Sequence, residues 1–261
     1  MVGTALASIG ATGGITGRLR PVIRRNLSGS YAHGLALFDV SRDSVVSRLA
    51  SVLNDLRPPH PLRVGIDGRS AAGKTTLADE LADTLRANGR EVARASIDDF
   101  HRPGHKFRSM RGEWTPESYY ECGYDYAAFK EYVLTPLGPG GSRRVRTRLF
   151  DAYADCWYPE EWTDVSPNTI AIVDGAFLLR AELESCWEYV ISLDIDFETM
   201  VQRACNRDVA WVGSVEEVEQ RYRERWMPTH LAYETATGAP GRADAVIDNR
   251  DISAPLLIRM R

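Results

Sequence analysis

Apolar and polar positions along the chain form two alternating kinds of segment. Short apolar runs predict buried strands at residues 62–66, 91–97, 169–175, 189–195 and 243–248, the last of these being the final strand. Segments with an apolar stripe at helical spacing predict helices at residues 41–57, 74–87, 126–137, 196–208 and 215–233. Because strands and helices alternate, we expect an α/β fold with a parallel sheet and helices on both of its faces.

The start of the chain does not follow this pattern. Residues 1–38 contain four arginines but neither Asp nor Glu, and they show no periodicity that would form a core. We therefore predict a disordered extension over residues 1–40 and a single domain over residues 41–261. An organellar transit peptide, or translation from an upstream start in a GC-rich genome, would also explain this composition.

Two internal segments also lack a clear pattern. Residues 104–123 are rich in aromatic side chains and look flexible. Residues 143–150 alternate basic and smaller side chains, which predicts an exposed strand or hairpin whose arginines discourage aggregation. The alternative is that Arg143, Arg144, Arg146 and Arg148 hold an acidic substrate.

Composition narrows the class of protein. The 261 residues are 44% hydrophobic, and no apolar run is long enough to span a membrane. A net charge of -4 gives no overall basic field for nucleic acid, although a small anionic substrate needs only a local basic pocket. The four cysteines are scattered without zinc-site spacing, which predicts buried free thiols in a reducing cytosol. We expect a soluble cytoplasmic protein that binds neither nucleic acid nor membranes.

The most specific motif lies between the first strand and the helix that follows it. Residues 68–75 read G-x-x-x-x-G-K-T, which is a P-loop. Its glycines, Gly68 and Gly73, let backbone N–H groups point inward at a phosphate chain, and the N-terminus of the following helix adds to that anion site. Lys74 can reach the β- and γ-phosphates, and the Thr75 hydroxyl can bind Mg²⁺. Thr76 is either a second hydroxyl ligand or an ordinary residue of the first helical turn.

Carboxylates follow two of the predicted strands. Asp98 and Asp99 come after the second strand, and Asp174 ends the strand at residues 169–175. In an open parallel sheet, ligands bind at the carboxyl ends of the strands. These acids therefore indicate a site beside the P-loop.

Taken in order, the motifs resemble the uridine kinase and phosphoribulokinase family of P-loop kinases over residues 62–249. Besides the P-loop, residues 96–102 (SIDDFHR) are similar to the family's D-S-F-Y/H-R, 123–129 (GYDYAAF) to F-D-H-P-x-A-F/L, and 150–152 (FDA) to Y-D-F. Residues 173–175 (VDG) are similar to V-E-G, 203–208 (RACNRD) to R-R-x-x-R-D, and 243–247 (ADAVI) to A-D-V-I-I. The resemblance implies a three-layer α/β/α P-loop NTPase fold with a mainly parallel sheet and a helical lid.

The resemblance also implies an activity, a donor and a metal. It implies that the chain uses ATP or GTP with Mg²⁺ to phosphorylate a small-molecule hydroxyl, most simply the 5′-hydroxyl of uridine or cytidine. The residues implied for the nucleotide are Gly68, Ser70, Ala71, Gly73, Lys74, Thr75 and Thr76. Thr75 and Asp174 are implied for the metal, with Asp174 in place of the family's Glu. Members often form oligomers, so a homo-oligomer is possible, although nothing in the chain marks an interface.

The same motifs imply roles toward the acceptor. Asp98 matches the carboxylate that accepts the hydroxyl proton, with Asp99 as the alternative if the motif is displaced by one residue. Asp125 matches the residue used on the ribose hydroxyls and is also a helix N-cap candidate. Asp151 and Arg203 are further acceptor residues, and Arg207 joins Lys74 and Asp98 in the catalytic set because a guanidinium neutralises charge on the transferred phosphoryl group.

The chain also departs from the family. The E-R-G-R segment expected after R-D is absent, so Arg221, Arg223 and Arg225 are lid candidates that could equally be a solvated helix face paired with glutamates. No base-reading His follows Asp151. A kinase for another small hydroxyl compound, such as pantothenate or a sugar phosphate, and a non-catalytic NTP-binding regulatory protein are therefore alternative functions.

Overall fold

A computed structural model describes residues 41–261. The extension predicted for residues 1–40 lies outside the described residues. The helices of the described part are α1 (Arg42–Asp55), α2 (Lys74–Ala87), α3 (His105–Met110), α4 (Pro116–Cys122), α5 (Tyr126–Phe129), α6 (Thr135–Leu137), α7 (Phe197–Val212), α8 (Val215–Arg221) and α9 (Met227–Thr237). The strands are β1 (Leu62–Gly68), β2 (Val92–Ser96), β3 (Arg144–Val145), β4 (Phe150–Asp151), β5 (Cys156–Trp157), β6 (Thr163–Asp164), β7 (Ile170–Asp174), β8 (Tyr189–Asp194), β9 (Ala245–Asp248) and β10 (Leu256–Met260).

The central sheet has six strands in the order β10-β9-β8-β1-β7-β2. All neighbouring pairs are parallel except β9 with the edge strand β10. Every residue of β7 is buried, and since successive side chains point to opposite faces, both faces of the sheet are covered. The structure confirms the predicted P-loop α/β fold, with a mainly parallel sheet flanked by helices.

The strand register places the carboxyl ends of β1, β2 and β7 side by side. Asp174 of β7 lies beside Ile66 of β1 on one side and beside Ser96 of β2 on the other. Because all three strands are parallel, the P-loop after β1 and the turn after β2 emerge at the same edge of the sheet. Asp98 lies in that turn, a short 3₁₀ segment (Ile97–Asp99) in which the Ser96 side chain accepts a hydrogen bond from the Asp98 N–H.

The structure corrects several predicted elements. The strand at 245–248 is not the last one, because Leu256–Met260 adds an antiparallel edge strand. Residues 104–123 form two short helices, and the second is held by a capping box between Thr115 and Ser118. Residues 143–150 form no continuous hairpin, since β3 pairs with β6 and β4 pairs with β5.

Predicted helices were mostly located correctly at their starts. Ser41, Asp125 and Asp196 each cap a helix with the side chain, as N-cap residues do. Two helices contain π-helical segments that the sequence pattern does not indicate, Lys130–Leu134 after α5 and Tyr222–Trp226 between α8 and α9. No helix in the described part of the chain is both long and apolar enough to cross a membrane. The four cysteines are free thiols, but only Cys186 is buried, and Cys156 is exposed, so the prediction that all four are buried is wrong.

Candidate functional site

The P-loop connects β1 to α2, and its backbone has positive φ at two glycines, Gly68 and Gly73. Gly68 has φ +148°, and a Cβ built there would lie 2.4 Å from the Leu193 carbonyl oxygen of the neighbouring strand. Gly73 has φ +91° and precedes the first residue of α2. Both glycines therefore serve the backbone path, Gly68 through close approach to β8 and Gly73 through the left-handed turn into the helix.

Lys74 lies at the centre of the site. Its ammonium group donates a 2.9 Å hydrogen bond to the Arg69 carbonyl oxygen across the loop. Burial lowers the pKa of Lys74, while the nearby carboxylates of Asp98, Asp67 and Asp174 oppose that shift. The three carboxylates thus favour the charged form that a phosphate-binding lysine requires.

The two residues predicted for the metal are in direct contact. Thr75 Oγ1 donates a 2.6 Å hydrogen bond to Asp174 Oδ2. The other oxygen, Asp174 Oδ1, accepts from Arg94 Nη2 of β2 at 3.0 Å. A hydroxyl and a carboxylate oxygen therefore converge at the start of α2, and Arg94 fixes the carboxylate from behind.

Asp98 faces the same space as the P-loop. Tyr124 donates a 2.9 Å hydrogen bond from its hydroxyl to Asp98 Oδ1. Asp98 Oδ2 accepts no hydrogen bond from the described residues. Asp99 points away, within 3.7 Å of the Arg148 guanidinium, and does not line the cavity. Because a 3₁₀ segment has about three residues per turn, neighbouring side chains point in different directions, so Asp98 faces the site and Asp99 faces Arg148.

A cavity of about 480 Å³ joins these residues. Its lining includes the P-loop residues Ser70, Ala71, Gly73, Lys74, Thr75 and Thr76. Asp98, Arg203, Arg207 and Asp208 supply its other charged side chains besides Lys106. The remaining wall is mainly aromatic and contains His101, His105, Tyr119, Tyr124, Tyr153, Trp211, Tyr222 and Trp226.

Two arginines of α7 reach the cavity in different ways. Arg207 makes a bidentate pair with the buried Asp208, which also accepts a 2.9 Å hydrogen bond from the Tyr222 hydroxyl. Burial alone would lower the pKa of Arg207, but these partners raise it, so the guanidinium is permanently charged. Arg203 donates to the carbonyl oxygens of Asn249 and Arg250 and leaves Nη1 buried without a partner.

Four of the residues predicted for the site do not line this cavity, and one of them, Asp174, contacts it only through Thr75. Gly68 lies at the strand end behind the loop. Asp125 caps α5 by accepting from the Ala128 N–H. Asp151 closes a turn by accepting from the N–H groups of Tyr153 and Ala154. The structure therefore brings together the P-loop, Asp98, Arg203 and Arg207, with Asp174 reached through Thr75, but not Asp125 or Asp151.

The aromatic wall was not identified from the sequence. Residues 101–126 supply four of its eight side chains, and the only signal for these four was the density of aromatic residues in that segment. His101 and His105 lie with ring centroids 4.1 Å apart. Burial lowers the pKa of both, that of His105 to about 2, so each imidazole is neutral.

Helix α9 is tied to the P-loop by three side-chain contacts. His230 Nε2 accepts a 3.1 Å hydrogen bond from the Ser70 N–H, and Tyr233 donates a 2.7 Å hydrogen bond to the buried Asp67. Glu234 accepts two 2.7 Å hydrogen bonds from Arg69. The conformation of the loop therefore depends on a helix that begins more than 150 residues later in the chain and contacts Ser70 across 160 residues.

Comparison with known proteins agrees with this geometry. No family model matches the chain. Uridine-cytidine kinase B of Dictyostelium discoideum is 26% identical over 185 residues, covering 69% of this chain and 72% of that protein. A uridine kinase of Brevibacillus brevis is 23% identical over 179 residues, covering 67% of this chain and 79% of that protein.

A solved structure extends the likeness to the fold. The structure of a possible uridine kinase from Bacillus stearothermophilus superposes with a TM-score of 0.60, at 22% identity, covering 78% of this chain and 97% of that one. Relatives and fold together support a P-loop kinase that phosphorylates a small hydroxyl compound. With its ordered motifs and a P-loop that opens onto a carboxylate-lined cavity, the chain has the fold of P-loop kinases and is similar in sequence to uridine kinases.

Proposed function

We propose that the chain transfers the γ-phosphoryl group of ATP or GTP to the 5′-hydroxyl of uridine or cytidine. The observation that carries this proposal is that Asp98 lines the same cavity as Lys74 and the rest of the P-loop. A phosphate-binding lysine and a carboxylate that faces it are the minimum that phosphoryl transfer to a hydroxyl requires of the protein. The names of the curated relatives support the choice of acceptor.

Each catalytic residue has a distinct part in the proposed reaction. Lys74 and the P-loop N–H groups hold the donor phosphates. Asp98 Oδ2 accepts the proton of the attacking hydroxyl, while Tyr124 fixes the other carboxylate oxygen. Arg207 neutralises charge on the transferred oxygens, and its pair with Asp208 holds it at the cavity wall.

The residues present fit a magnesium ion. Thr75 Oγ1 and Asp174 Oδ2 already converge within 2.6 Å, and hard oxygen donors of this kind are the ligands that Mg²⁺ prefers. Thr75 and Asp174 would hold the ion together with phosphate oxygens of the donor. When bound, the ion neutralises charge on those phosphates.

The acceptor end of the cavity suits a planar ring. Tyr119, Tyr124, Tyr153, Trp211 and Trp226 present apolar faces and edges there, and aromatic side chains favour offset or edge-to-face contacts with another ring. Neutral His101 and His105 can donate or accept hydrogen bonds without adding charge. This wall supports a pyrimidine nucleoside although no His follows Asp151.

The test is acceptor-dependent turnover. Purified protein with ATP and Mg²⁺ should release ADP in proportion to the uridine or cytidine monophosphate formed, with both products quantified by chromatography. Comparing turnover with GTP and with ATP identifies the preferred phosphoryl donor. Absence of nucleotide product with either nucleoside would refute the proposed acceptor.

A second candidate is a kinase for another small hydroxyl compound, such as pantothenate or a sugar phosphate. The arginines at 143–148, which the sequence suggested for an acidic substrate, do not line the cavity. Arg146 and Arg148 contact Tyr158 and Asp99 instead. Lys106 and Ser109, however, line the cavity and would accept an anionic group. A panel of anionic acceptors scored for ADP release separates the candidates. Turnover with any acceptor also excludes a purely regulatory NTP-binding protein.

A further inference from the structure

Helix α3 presents two polar side chains to the cavity, and one of them has a buried atom without a partner. His105 and Ser109 lie one turn apart on α3 and both line the cavity, whereas Phe107 and Met110 face outward, 52% and 53% exposed. His105 Nδ1 is buried without a hydrogen-bond partner. The Ser109 side chain is 1% exposed, so its hydroxyl is screened from bulk water.

A buried guanidinium lies directly behind Ser109. Arg225 is 7% exposed, and its Nη1 donates a 3.1 Å hydrogen bond to Ser109 Oγ. Its Nε is buried without a partner, and Arg225 forms no ion pair with any of residues 41–261. A buried charge without an ionic partner is unfavourable. The Trp226 ring, whose centroid lies 5.1 Å from Arg225 Cζ, offsets part of this cost, and an oxygen of a ligand would offset more.

The local backbone places the Arg225 guanidinium against Ser109, although Arg225 itself does not line the cavity. Arg225 lies in the π-helical segment Tyr222–Trp226, and π segments inside α-helices are frequent at functional sites. The wider turn places Tyr222 and Trp226 on the cavity wall, with Arg225 between them and Ser109. Arg221, just before the segment, also has a buried Nη1 without a partner.

We propose that the Ser109 end of the cavity binds an oxygen atom of the acceptor that carries partial or full negative charge. Ser109 Oγ accepts from Arg225, so its own hydrogen is free to donate into the cavity. Ser109 is thus a specificity-determining residue, and Arg225 is a positioning residue that polarises its hydroxyl. The inference rests on the proposed phosphoryl transfer and adds the acceptor group that is recognised, a carbonyl or a carboxylate.

The first experiment compares acceptors in turnover. Uridine and cytidine supply a ring carbonyl, and pantothenate supplies a carboxylate. Ser109→Ala should lower kcat/KM by about 3- to 10-fold for a carbonyl acceptor and about 10- to 100-fold for a carboxylate, mainly through KM. Ser142→Ala is the matched control, because Ser142 is exposed and bonds only the Arg144 N–H. The acceptor whose KM rises in Ser109→Ala is the one whose oxygen contacts Ser109.

Arg225 needs a readout that a purely structural role would not change. Arg225→Lys keeps the charge but not the planar donor, and it should change the ratio of kcat/KM between carbonyl and carboxylate acceptors while the melting temperature stays near that of the parent protein. A uniform loss for every acceptor, or a change in melting temperature alone, would reduce Arg225 to a structural residue and contradict its positioning role.

The second experiment does not need turnover. The melting temperature is measured with uridine, cytidine and pantothenate in the presence of a non-hydrolysable ATP analogue, for the parent protein, Ser109→Ala and Ser142→Ala. If an acceptor shifts the melting temperature of the parent protein but not of Ser109→Ala, and the turnover experiment finds no phosphorylated product, this inference is supported and the proposed function is refuted. If uridine or cytidine is phosphorylated but Ser109→Ala changes neither KM nor the thermal shifts, the proposed function is supported and this inference is refuted. If none of the three compounds shifts the parent protein, the inference is overturned.

Discussion

Thr75 Oγ1 lies 2.6 Å from Asp174 Oδ2, and this hydrogen bond joins the first turn of α2 to the carboxyl end of β7. Arg94 holds the other Asp174 oxygen at 3.0 Å from the opposite side. The carboxylate is therefore oriented before any ligand arrives. Such preorganisation by a second partner typically changes metal affinity when it is removed.

Asp174→Asn should raise the Mg²⁺ concentration needed for half-maximal turnover by about 10- to 100-fold, because an amide oxygen carries no net charge. Asp174→Glu should retain most of the affinity, since a carboxylate is kept. Mn²⁺ binding followed by electron paramagnetic resonance measures the same change without turnover. Asp79→Asn is the control, because Asp79 also accepts from Arg94 but is mostly exposed. Equal metal dependence of Asp174→Asn and the parent protein would remove Asp174 from the metal site.

Asp98→Asn should lower kcat by about 10² to 10⁴, since the proton acceptor is lost while size and most hydrogen bonding are kept. ATP affinity, measured by titration calorimetry, should barely change. Lys74→Ala should reduce both nucleotide affinity and turnover, because the charge that holds the β- and γ-phosphates is removed.

Asp99→Asn is the matched control for Asp98→Asn. The side chain of Asp99 faces Arg148 outside the cavity, so turnover should stay near that of the parent protein. If Asp99→Asn abolishes turnover while Asp98→Asn does not, the motif is displaced by one residue and the catalytic carboxylate is Asp99.

Arg207→Ala should lower kcat by about 10²- to 10³-fold, as expected when a charge that stabilises the transferred phosphoryl group is removed. Arg207→Lys should restore only part of the loss, because an ammonium group cannot reproduce the bidentate pair with Asp208. Arg223→Ala is the control, since Arg223 pairs with Glu198 and Glu219 on an exposed helix face. Similar kcat values for all three variants would place Arg207 outside the catalytic set.

Local rules explain why the P-loop and its flanking elements were predicted correctly. The glycine spacing, the strand before Gly68 and the helix from Lys74 all depend on residues that are close in sequence. The start of α7 followed in the same way from Asp196, whose side chain caps the Thr199 N–H. Asp98 was identified because its place after a strand is also a local feature.

Contacts between distant segments explain what was not predicted. Arg94 and Asp174 are 80 residues apart, and Ser109 and Arg225 are 116 apart, so neither pair leaves a local pattern. The π-helical segments arise from one extra residue per turn, which composition does not indicate. For the same reason the sequence marked Arg225 equally as a lid residue or as part of a solvated helix face, whereas the structure buries it.

Gly68→Ala should destabilise the protein by about 2–4 kcal/mol in urea unfolding, because a Cβ would lie 2.4 Å from the Leu193 carbonyl oxygen in a backbone conformation at φ +148°. Gly89→Ala is the matched control. Gly89 also has positive φ, +79°, but nothing lies within 4 Å of its Cβ position, so its substitution should cost about 1–2 kcal/mol. Equal losses would mean that the strain comes from φ alone and not from the approach of β1 to β8.

Acid should destabilise the protein through its buried histidines. Burial lowers the pKa of His101, His105 and His230, that of His105 to about 2, while the unfolded value is near 6.5. Below pH 6.5 the unfolded chain therefore binds more protons at these histidines than the folded protein does. Their contribution to the free energy of unfolding is complete above that pH and is lost as the pH falls.

His105→Phe isolates one of these contributions, because phenylalanine keeps an aromatic ring that does not titrate. Between pH 7.5 and pH 5, the free energy of unfolding of the parent protein should fall by about 2 kcal/mol more than that of the variant, as measured by urea unfolding at each pH. Burial raises the pKa of Asp67, which has the opposite effect at lower pH, but that group is common to both proteins and cancels in the difference. A parallel fall in both proteins would show that His105 takes up no proton on unfolding in this range, and that its imidazole is not held neutral by the cavity wall.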